Sequence, residues 1–148
     1  MILKSYTKQK DFGRFSARWG CYATCLINII EHELQRKLDK IELYSILGRW
    51  LITESVYLCN YKDHELIYDD ATELPGWGLE QDPEIHYWVV NQDRALKDAM
   101  YIVSLKELTK SYMILKLDVG HFVLKVEHGV IINPDPSLDG KIIEWRKI

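Results

Sequence analysis

A short stretch near the N-terminus, residues 19–31, constrains what this chain can fold into. From Tyr22 onward its apolar residues recur at the i, i+3, i+4 spacing of a helix that buries one face: Tyr22, Cys25, Leu26, Ile29, Ile30 and Leu34. The pattern predicts a helix from about Cys21 to Lys37, with Cys25 on its buried side. Gly20 leaves the approach to the first turn open, because glycine has no Cβ.

The first residue of this predicted helix, Cys21, is a candidate nucleophile. Unpaired backbone N–H groups and the positive end of the helix dipole stabilise an anion there, so we expect the thiol to ionise more easily than a free one. The alternative is a buried cysteine that acts as a small hydrophobe, because a cysteine without a base is not a catalytic site. The rest of the chain therefore has to supply a base.

A second helix is predicted directly after the first. Asp39 and Glu42 have the spacing of a capping box, and the apolar residues around them repeat at helical spacing: Ile41, Tyr44, Leu47 and Leu51. Residues 55–70 fit either a short helix or a strand, and His86–Val90 fits a strand or the start of a helix. A turn carrying Trp77 lies between them, either as an exposed loop beside a cleft or with its indole in the core.

Beyond about residue 100 the pattern changes to strands, at 112–117, 121–126, 130–132 and 141–145. Helices come first in the chain and an antiparallel sheet follows. We therefore predict an α+β fold in which N-terminal helices pack against one side of a C-terminal sheet. A chain of 148 residues is expected to form a single domain over 1–148.

Two of these strands are joined by residues 127–129, a three-residue loop in which Gly129 can take the left-handed conformation. If the residues that flank the loop pair with each other, His121 lies directly opposite Asp135, with Asn133 on the diagonal. Either side chain could hold the imidazole Nδ1–H and fix its tautomer. The other face of the hairpin is wholly apolar and is predicted to be core: Phe122, Leu124, Val126, Val130 and Ile132.

The charge and composition of the chain limit the classes of partner that it is expected to bind. A net charge of −3 with no block of Lys or Arg argues against nucleic acid or an anionic membrane as the main partner and leaves a protein, a peptide or a small molecule. No apolar run is long enough to span a membrane and no signal-peptide pattern is present, so we expect a cytoplasmic protein. The three cysteines are then expected to be free thiols. No metal site and no cofactor is predicted.

At these residues the sequence resembles the papain-like cysteine peptidase superfamily, in particular the small bacterial members related to double-glycine, bacteriocin-processing peptidases. The resemblance covers the first helix and the last third of the chain. The residues that carry it are Trp19-Gly20-Cys21, Cys25-Leu26, Gly120-His121-Phe122-Val123 and Asp135-Pro136.

The resemblance implies a papain-like fold and a cysteine peptidase that cleaves an amide bond through a thioester. Cys21 would be the nucleophile and His121 the general base and acid. Asp135 would orient the histidine, with Asn133 as its rival, because family members use either residue type.

Four alternatives stay open. The same chemistry serves an amidase or an acyl transferase. Family members usually carry a glutamine several residues before the cysteine as an oxyanion-hole donor, where this sequence has Phe15, Ser16 and Arg18. A papain-like module that binds a peptide without cutting it is therefore an alternative, and so is a structural domain with Cys21 and His121 far apart.

Overall fold

A computed structural model describes residues 2–8, 11, 20–60 and 85–148. Within them the chain has an α+β fold with three helices, a two-stranded antiparallel sheet and a four-stranded antiparallel sheet. The elements are α1 (Cys21–Leu34), α2 (Lys40–Ile52), β1 (Val56–Asn60), β2 (Ile85–Val89), α3 (Gln92–Ile102), β3 (Met113–Leu117), β4 (Phe122–Lys125), β5 (Ile131–Ile132) and β6 (Ile142–Lys147).

The predicted first helix is α1, which begins at Cys21 but ends at Leu34 rather than Lys37. Gln35 ends it in a left-handed conformation at φ 57°. Every residue from 23 to 32 is buried, so the prediction that α1 buries a single face is wrong. The apolar side packs in the main core, and the polar side is covered as well.

The polar side of α1 is covered by the N-terminal segment, residues 2–8. The fully buried carboxylate of Glu31 accepts hydrogen bonds from the backbone N–H and the hydroxyl of Thr7, at 2.8 and 2.6 Å. It also accepts from Asn28 Nδ2 at 3.1 Å and from the backbone N–H of Leu38 at 2.8 Å. A buried carboxylate is tolerated only when donors surround it in this way.

The neighbouring residue His32 ties α1 to two other parts of the chain. Its Nδ1 lies 2.8 Å from the hydroxyl of Tyr6, and its Nε2 lies 2.8 Å from the carboxylate of Glu127, in the turn between β4 and β5. These contacts fix α1 between the N-terminal segment and the four-stranded sheet.

The capping box predicted for the second helix is confirmed. The Asp39 carboxylate accepts from the backbone N–H of Glu42, and the Glu42 carboxylate accepts from the backbone N–H of Asp39. The predicted buried stripe is partly wrong, because Ile41 is 79% exposed and Leu43, Ile46 and Trp50 are buried instead. We attribute the difference to the axial rotation of the helix, which depends on what it packs against.

Buried Asp98 joins α3 to α2 and to the residue before β1. Its carboxylate accepts from Arg49 Nε at 3.2 Å, from Arg94 Nε at 3.0 Å and from the Ser55 hydroxyl at 3.2 Å. None of the described helices is long and apolar enough to cross a bilayer.

The four-stranded sheet has the order β5-β4-β3-β6, with every neighbouring pair antiparallel. Leu124 pairs with Ile132, and the backbone N–H of Val126 donates to Val130 at 2.9 Å, which confirms the predicted hairpin register. Gly129 is left-handed at φ 75°, as predicted, and His128 before it is left-handed as well. Of the five apolar residues predicted to be core, Val130 is exposed and Phe122 is half-buried.

A tight turn delivers the chain to His121. The backbone N–H of Leu117 donates to the carbonyl of His121 at 2.7 Å, and Gly120 donates back to the carbonyl of Leu117 at 3.0 Å. Gly120 has φ 78°, a conformation that a residue with a Cβ rarely adopts. The glycine therefore fixes where β4 begins.

The two-stranded sheet resolves the ambiguity around residues 55–60 and 86–90. Val56 pairs with Val89 and Asn60 with Ile85, so both segments are strands, and α3 follows as a separate helix. The turn predicted around Trp77 lies outside the described residues.

The buried carboxylate of Glu31 generates a stability prediction. In Glu31→Gln one of the two oxygens becomes an NH₂ group, which leaves the backbone N–H of either Thr7 or Leu38 facing a donor. We expect the free energy of unfolding, measured in urea, to fall by about 2–3 kcal/mol.

Glu33→Gln is the matched control. Glu33 also accepts four hydrogen bonds, from Thr109 N and Oγ1, Lys110 N and the Tyr112 hydroxyl, but it is only half-buried, so water can replace a lost partner. An equal or larger decrease in the free energy of unfolding for Glu33→Gln would contradict the explanation that burial makes the Glu31 hydrogen bonds costly to lose.

Candidate active site

Cys21 lies where predicted, as the first residue of α1, and its side chain is partly exposed. Gly20 precedes it as the N-cap and offers no side-chain hydrogen bond to the helix. Cys25, one turn later, is fully buried, as the sequence predicted. The two thiols therefore differ in access, and only Cys21 opens toward solvent.

The sulfur of Cys21 meets the sheet at the start of β4. The backbone N–H of Phe122 forms a hydrogen bond that lowers the pKa of the Cys21 thiol. Continuing the register of β4 and β5 would place Pro134 opposite Phe122, but β5 ends at Ile132. The N–H of Phe122 therefore points beyond the last strand pair, where α1 presents its first residue.

The pKa of Cys21 is nevertheless raised. Burial is the largest cause, and the backbone N–H groups of Phe122, Tyr22 and Cys21 itself offset it only in part. The negative charge of Asp135 raises the pKa further. The prediction that the helix N-terminus alone makes this thiol ionise more easily than a free one is therefore wrong, because desolvation of the thiolate outweighs the hydrogen bonds.

His121 is 2% exposed and forms a hydrogen bond with Asn133, at 2.7 Å between Nε2 and Oδ1. The orientation of the Asn133 amide is fixed by two other bonds: its Nδ2 donates to the carbonyl of Leu138 at 2.8 Å, and its Oδ1 accepts from the backbone N–H of Asp135 at 3.0 Å. An amide oxygen can only accept, so Nε2 carries the proton. The prediction that Nδ1–H would be held is therefore wrong, and Nδ1 is the nitrogen available as a base in the neutral ring.

Of the two proposed orienters, the structure brings Asn133 to His121. The carboxylate of Asp135 turns instead to Ser137, whose backbone N–H and hydroxyl donate to Oδ1 at 3.1 and 2.6 Å. Asp135 supports the site through its backbone N–H, which holds the Asn133 oxygen. The preference for Asp135 over Asn133 is thus reversed, because the strand pairing that would place Asp135 opposite His121 ends before it.

Tyr22 is a site residue that the sequence analysis did not single out. Its ring packs edge-on against Phe122, with centroids 4.9 Å apart. Its hydroxyl donates to Gln92 at the start of α3 and accepts from Arg146 of β6 at 3.1 Å. These partners are 70 and 124 residues away in the chain, so no local pattern could have indicated them.

Several expected site residues lie outside the described part of the chain. They are Trp19 and the positions where family members usually carry the oxyanion-hole glutamine, here Phe15, Ser16 and Arg18. His86 and Cys59 are placed only by their backbone, as a pair across β1 and β2.

Neither a metal centre nor a known relative adds to this geometry. The described residues contain no group of three or more His, Cys, Asp or Glu side chains that could hold a metal ion. No family model, curated protein or solved structure matches the chain. The function of the protein therefore has to be inferred from the geometry of the site.

The hydrogen bond between His121 and Asn133 generates the next prediction. In Asn133→Ala the imidazole loses the acceptor that fixes its tautomer, so alkylation of Cys21 by iodoacetamide at pH 7 should slow about tenfold, the rate equivalent of one hydrogen bond. Asp135→Ala keeps the backbone N–H that holds Asn133 and removes a charge that raises the pKa of Cys21, so it should not slow the reaction. A larger effect of Asp135→Ala would contradict the assignment of Asn133 as the orienter.

The charge of Asp135 gives a pH prediction with the opposite sign. Because this carboxylate raises the pKa of Cys21, Asp135→Asn should lower that pKa and shift the alkylation profile toward lower pH. More thiolate is then present at any pH below the pKa, so the rate at pH 7 should rise. The rate of Cys21 alkylation between pH 5 and 10, followed by mass spectrometry, measures the shift; a move to higher pH would contradict it.

Proposed function

We propose that the protein is a cysteine hydrolase of papain-like architecture that cleaves an amide bond in a protein or peptide. Cys21 is the nucleophile, His121 the general base and acid, and Asn133 the residue that orients His121. Asp135 is a supporting residue whose carboxylate does not act on the imidazole.

The observation that carries the proposal is the hydrogen bond from His121 Nε2 to Asn133 Oδ1, at 2.7 Å. It lies next to Phe122, whose N–H reaches the Cys21 sulfur. A cysteine, a histidine and an amide in this order along the chain form a recurrent arrangement for acyl transfer through a thiol. The arrangement keeps Nδ1 available for the proton of the thiol.

In this mechanism His121 Nδ1 takes the proton of Cys21, and the thiolate attacks the carbonyl carbon of the substrate. The resulting oxyanion is positioned to accept from the backbone N–H of Cys21, one of the N–H groups that a helix leaves unpaired at its start. The tetrahedral intermediate collapses, the C–N bond breaks, and His121 returns the proton to the leaving amine. Water then attacks the thioester with His121 again as base, releasing the acid and the free thiol.

The raised pKa of Cys21 explains why the histidine is needed. Burial disfavours a lone thiolate, whereas an imidazolium formed beside it stabilises the negative charge. In the proposed mechanism, proton transfer from Cys21 to His121 creates both charges together. The thiol is therefore expected to react when His121 accepts the proton, and to be inert without it.

The same burial favours the second candidate, a module that binds a peptide beside Cys21 without cutting it. An amidase or an acyl transferase would use the same three residues and differ only in which nucleophile accepts the acyl group from Cys21. The test therefore separates cleavage from binding first.

The test is to incubate the purified protein with a defined mixture of synthetic peptides and to follow new termini by mass spectrometry. We expect cleavage by the wild type, and a loss of about 10⁶-fold in Cys21→Ala and in His121→Ala, the scale for removing the nucleophile or the base of such a triad. Cys25→Ala serves as the control thiol, since its side chain is sealed from solvent.

Binding of peptides to the wild type without new termini would contradict the hydrolase and favour the binding module. Cleavage that persists in Cys21→Ala would show that the activity belongs to another site or to a contaminant. Transfer of the acyl group to an added amine, with no release of free acid, would favour the transferase.

A further inference from the structure

A second set of side chains lies next to the proposed catalytic residues on the face of the sheet that packs against α1. Arg146 of β6 donates to the hydroxyl of Tyr22 at 3.1 Å, and its guanidinium carbon lies 5.9 Å from the centroid of the Tyr22 ring. Tyr22 directly follows Cys21 and packs against Phe122. Arg146 is thus connected to the start of α1 through one side chain.

The sheet register places a second cation on the same face. Phe122 pairs with Lys116, and Lys116 pairs with Glu144, so these three side chains form one row across β4, β3 and β6. The next row consists of Leu124, Ile114 and Arg146. Because Leu124 and Ile114 belong to the core that contains α1, both rows face that helix.

Neither cation is neutralised by the described part of the chain. Lys116 is half-buried, and Arg146 is exposed. Among the described residues, the ion pairs involve other side chains and neither of these two. Two carboxylates lie nearby and form no ion pair with another described residue: Glu144 in the row of Lys116, and Asp93, whose charge acts on Tyr22.

Within the ranges that the structure describes, Arg146 is held in position by a hydrogen bond to a neutral group and not by a carboxylate. Tyr22 accepts its hydrogen bond, and Gln92 at the start of α3 holds the hydroxyl of Tyr22 from the other side. A guanidinium held by one neutral acceptor keeps most of its five N–H donors free. Such a group suits a planar, two-point contact with a carboxylate.

We propose that Arg146 and Lys116 bind a carboxylate of the substrate, so that the site selects acidic peptides or a free peptide C-terminus. This inference rests on the proposed function of Cys21 and His121. Strands β4 and β6 are separated by two strand spacings, about 10 Å in all. An extended peptide covers about 3.3–3.6 Å per residue, so the recognised carboxylate lies about two or three residues from the reacting carbonyl.

The test uses two thiol reagents that differ only in charge, iodoacetyl-glycylglycine with a free carboxylate and the same compound as its C-terminal amide. In both, the Cys21 thiolate attacks the iodomethyl carbon, the C–S bond forms, and iodide leaves. The quantity measured is the ratio of the two rates at Cys21, because this ratio cancels changes in the reactivity of the thiol itself. The ratio of the two rates for the thiol of glutathione, which has no binding site, gives the reference value.

We expect the ratio of carboxylate to amide at Cys21 to exceed that of glutathione about three- to fivefold at low ionic strength, the scale of one exposed charge pair. It should decrease as salt is added, because exposed charges are screened. Arg146→Gln and Lys116→Gln should each lower the ratio, and Arg146→Glu should bring it below that of glutathione.

Lys147→Gln is the matched control. Lys147 is the next residue of β6, and it pairs with Met113, on the sheet face away from α1. Its loss removes the same unit of charge from the same strand and should leave the ratio unchanged. An equal decrease in Lys147→Gln would overturn the proposal by showing that the preference depends on net charge alone. An unchanged ratio in both Arg146 variants would also overturn it, because Arg146 would then make no contribution to the preference.

The outcome is independent of the test of the proposed function. Suppose that the amide reagent reacts with Cys21 no faster than with glutathione, and that His121→Ala does not change that rate. The proposed hydrolase function is then contradicted, but the ratio of carboxylate to amide rates still tests the binding of a carboxylate. If His121→Ala slows the amide reagent but Arg146→Glu leaves the ratio unchanged, the hydrolase stands and the selection of a carboxylate is overturned.

Discussion

The burial of α1 on all sides is the constraint on which the rest of the structure depends. A helix with Glu31 and His32 in its interior can be buried only if these two side chains find partners, because an unpaired buried charge is costly. Thr7 and Tyr6 of the N-terminal segment and Glu127 of the sheet provide these partners. The result is a helix held in one position, with its first residue fixed against the sheet.

A second constraint is the early end of β5. The strand contains only Ile131 and Ile132. Pro134 follows two residues later, and strand pairing cannot continue through it because proline has no backbone N–H to donate. The end of the ladder frees the N–H of Phe122 for Cys21 and releases Asn133 to reach back to His121. The same break in pairing thus prepares both halves of the proposed site.

The pKa of the Cys21 thiol is set by electrostatic effects of opposite sign. Burial disfavours a thiolate at Cys21, and the nearby carboxylate of Asp135 adds to that cost. Backbone N–H groups offset the cost only in part. In the proposed function the Cys21 thiol is therefore neutral at rest, and transfer of its proton to His121 would be the activating step.

The sequence by itself determined the local features of this protein: the start of α1 at Cys21, the capping box at Asp39, and the register of the hairpin that Gly129 closes. These depend on periodicity, caps and turn residues within a few positions of each other. Only the tertiary structure decided that α1 is buried all round, that Asn133 rather than Asp135 meets His121, and that Arg146 reaches Tyr22. Those outcomes depend on contacts between distant segments and on where strand pairing stops, and desolvation, which reversed the expected pKa of Cys21, is a property of the packed chain rather than of any short motif.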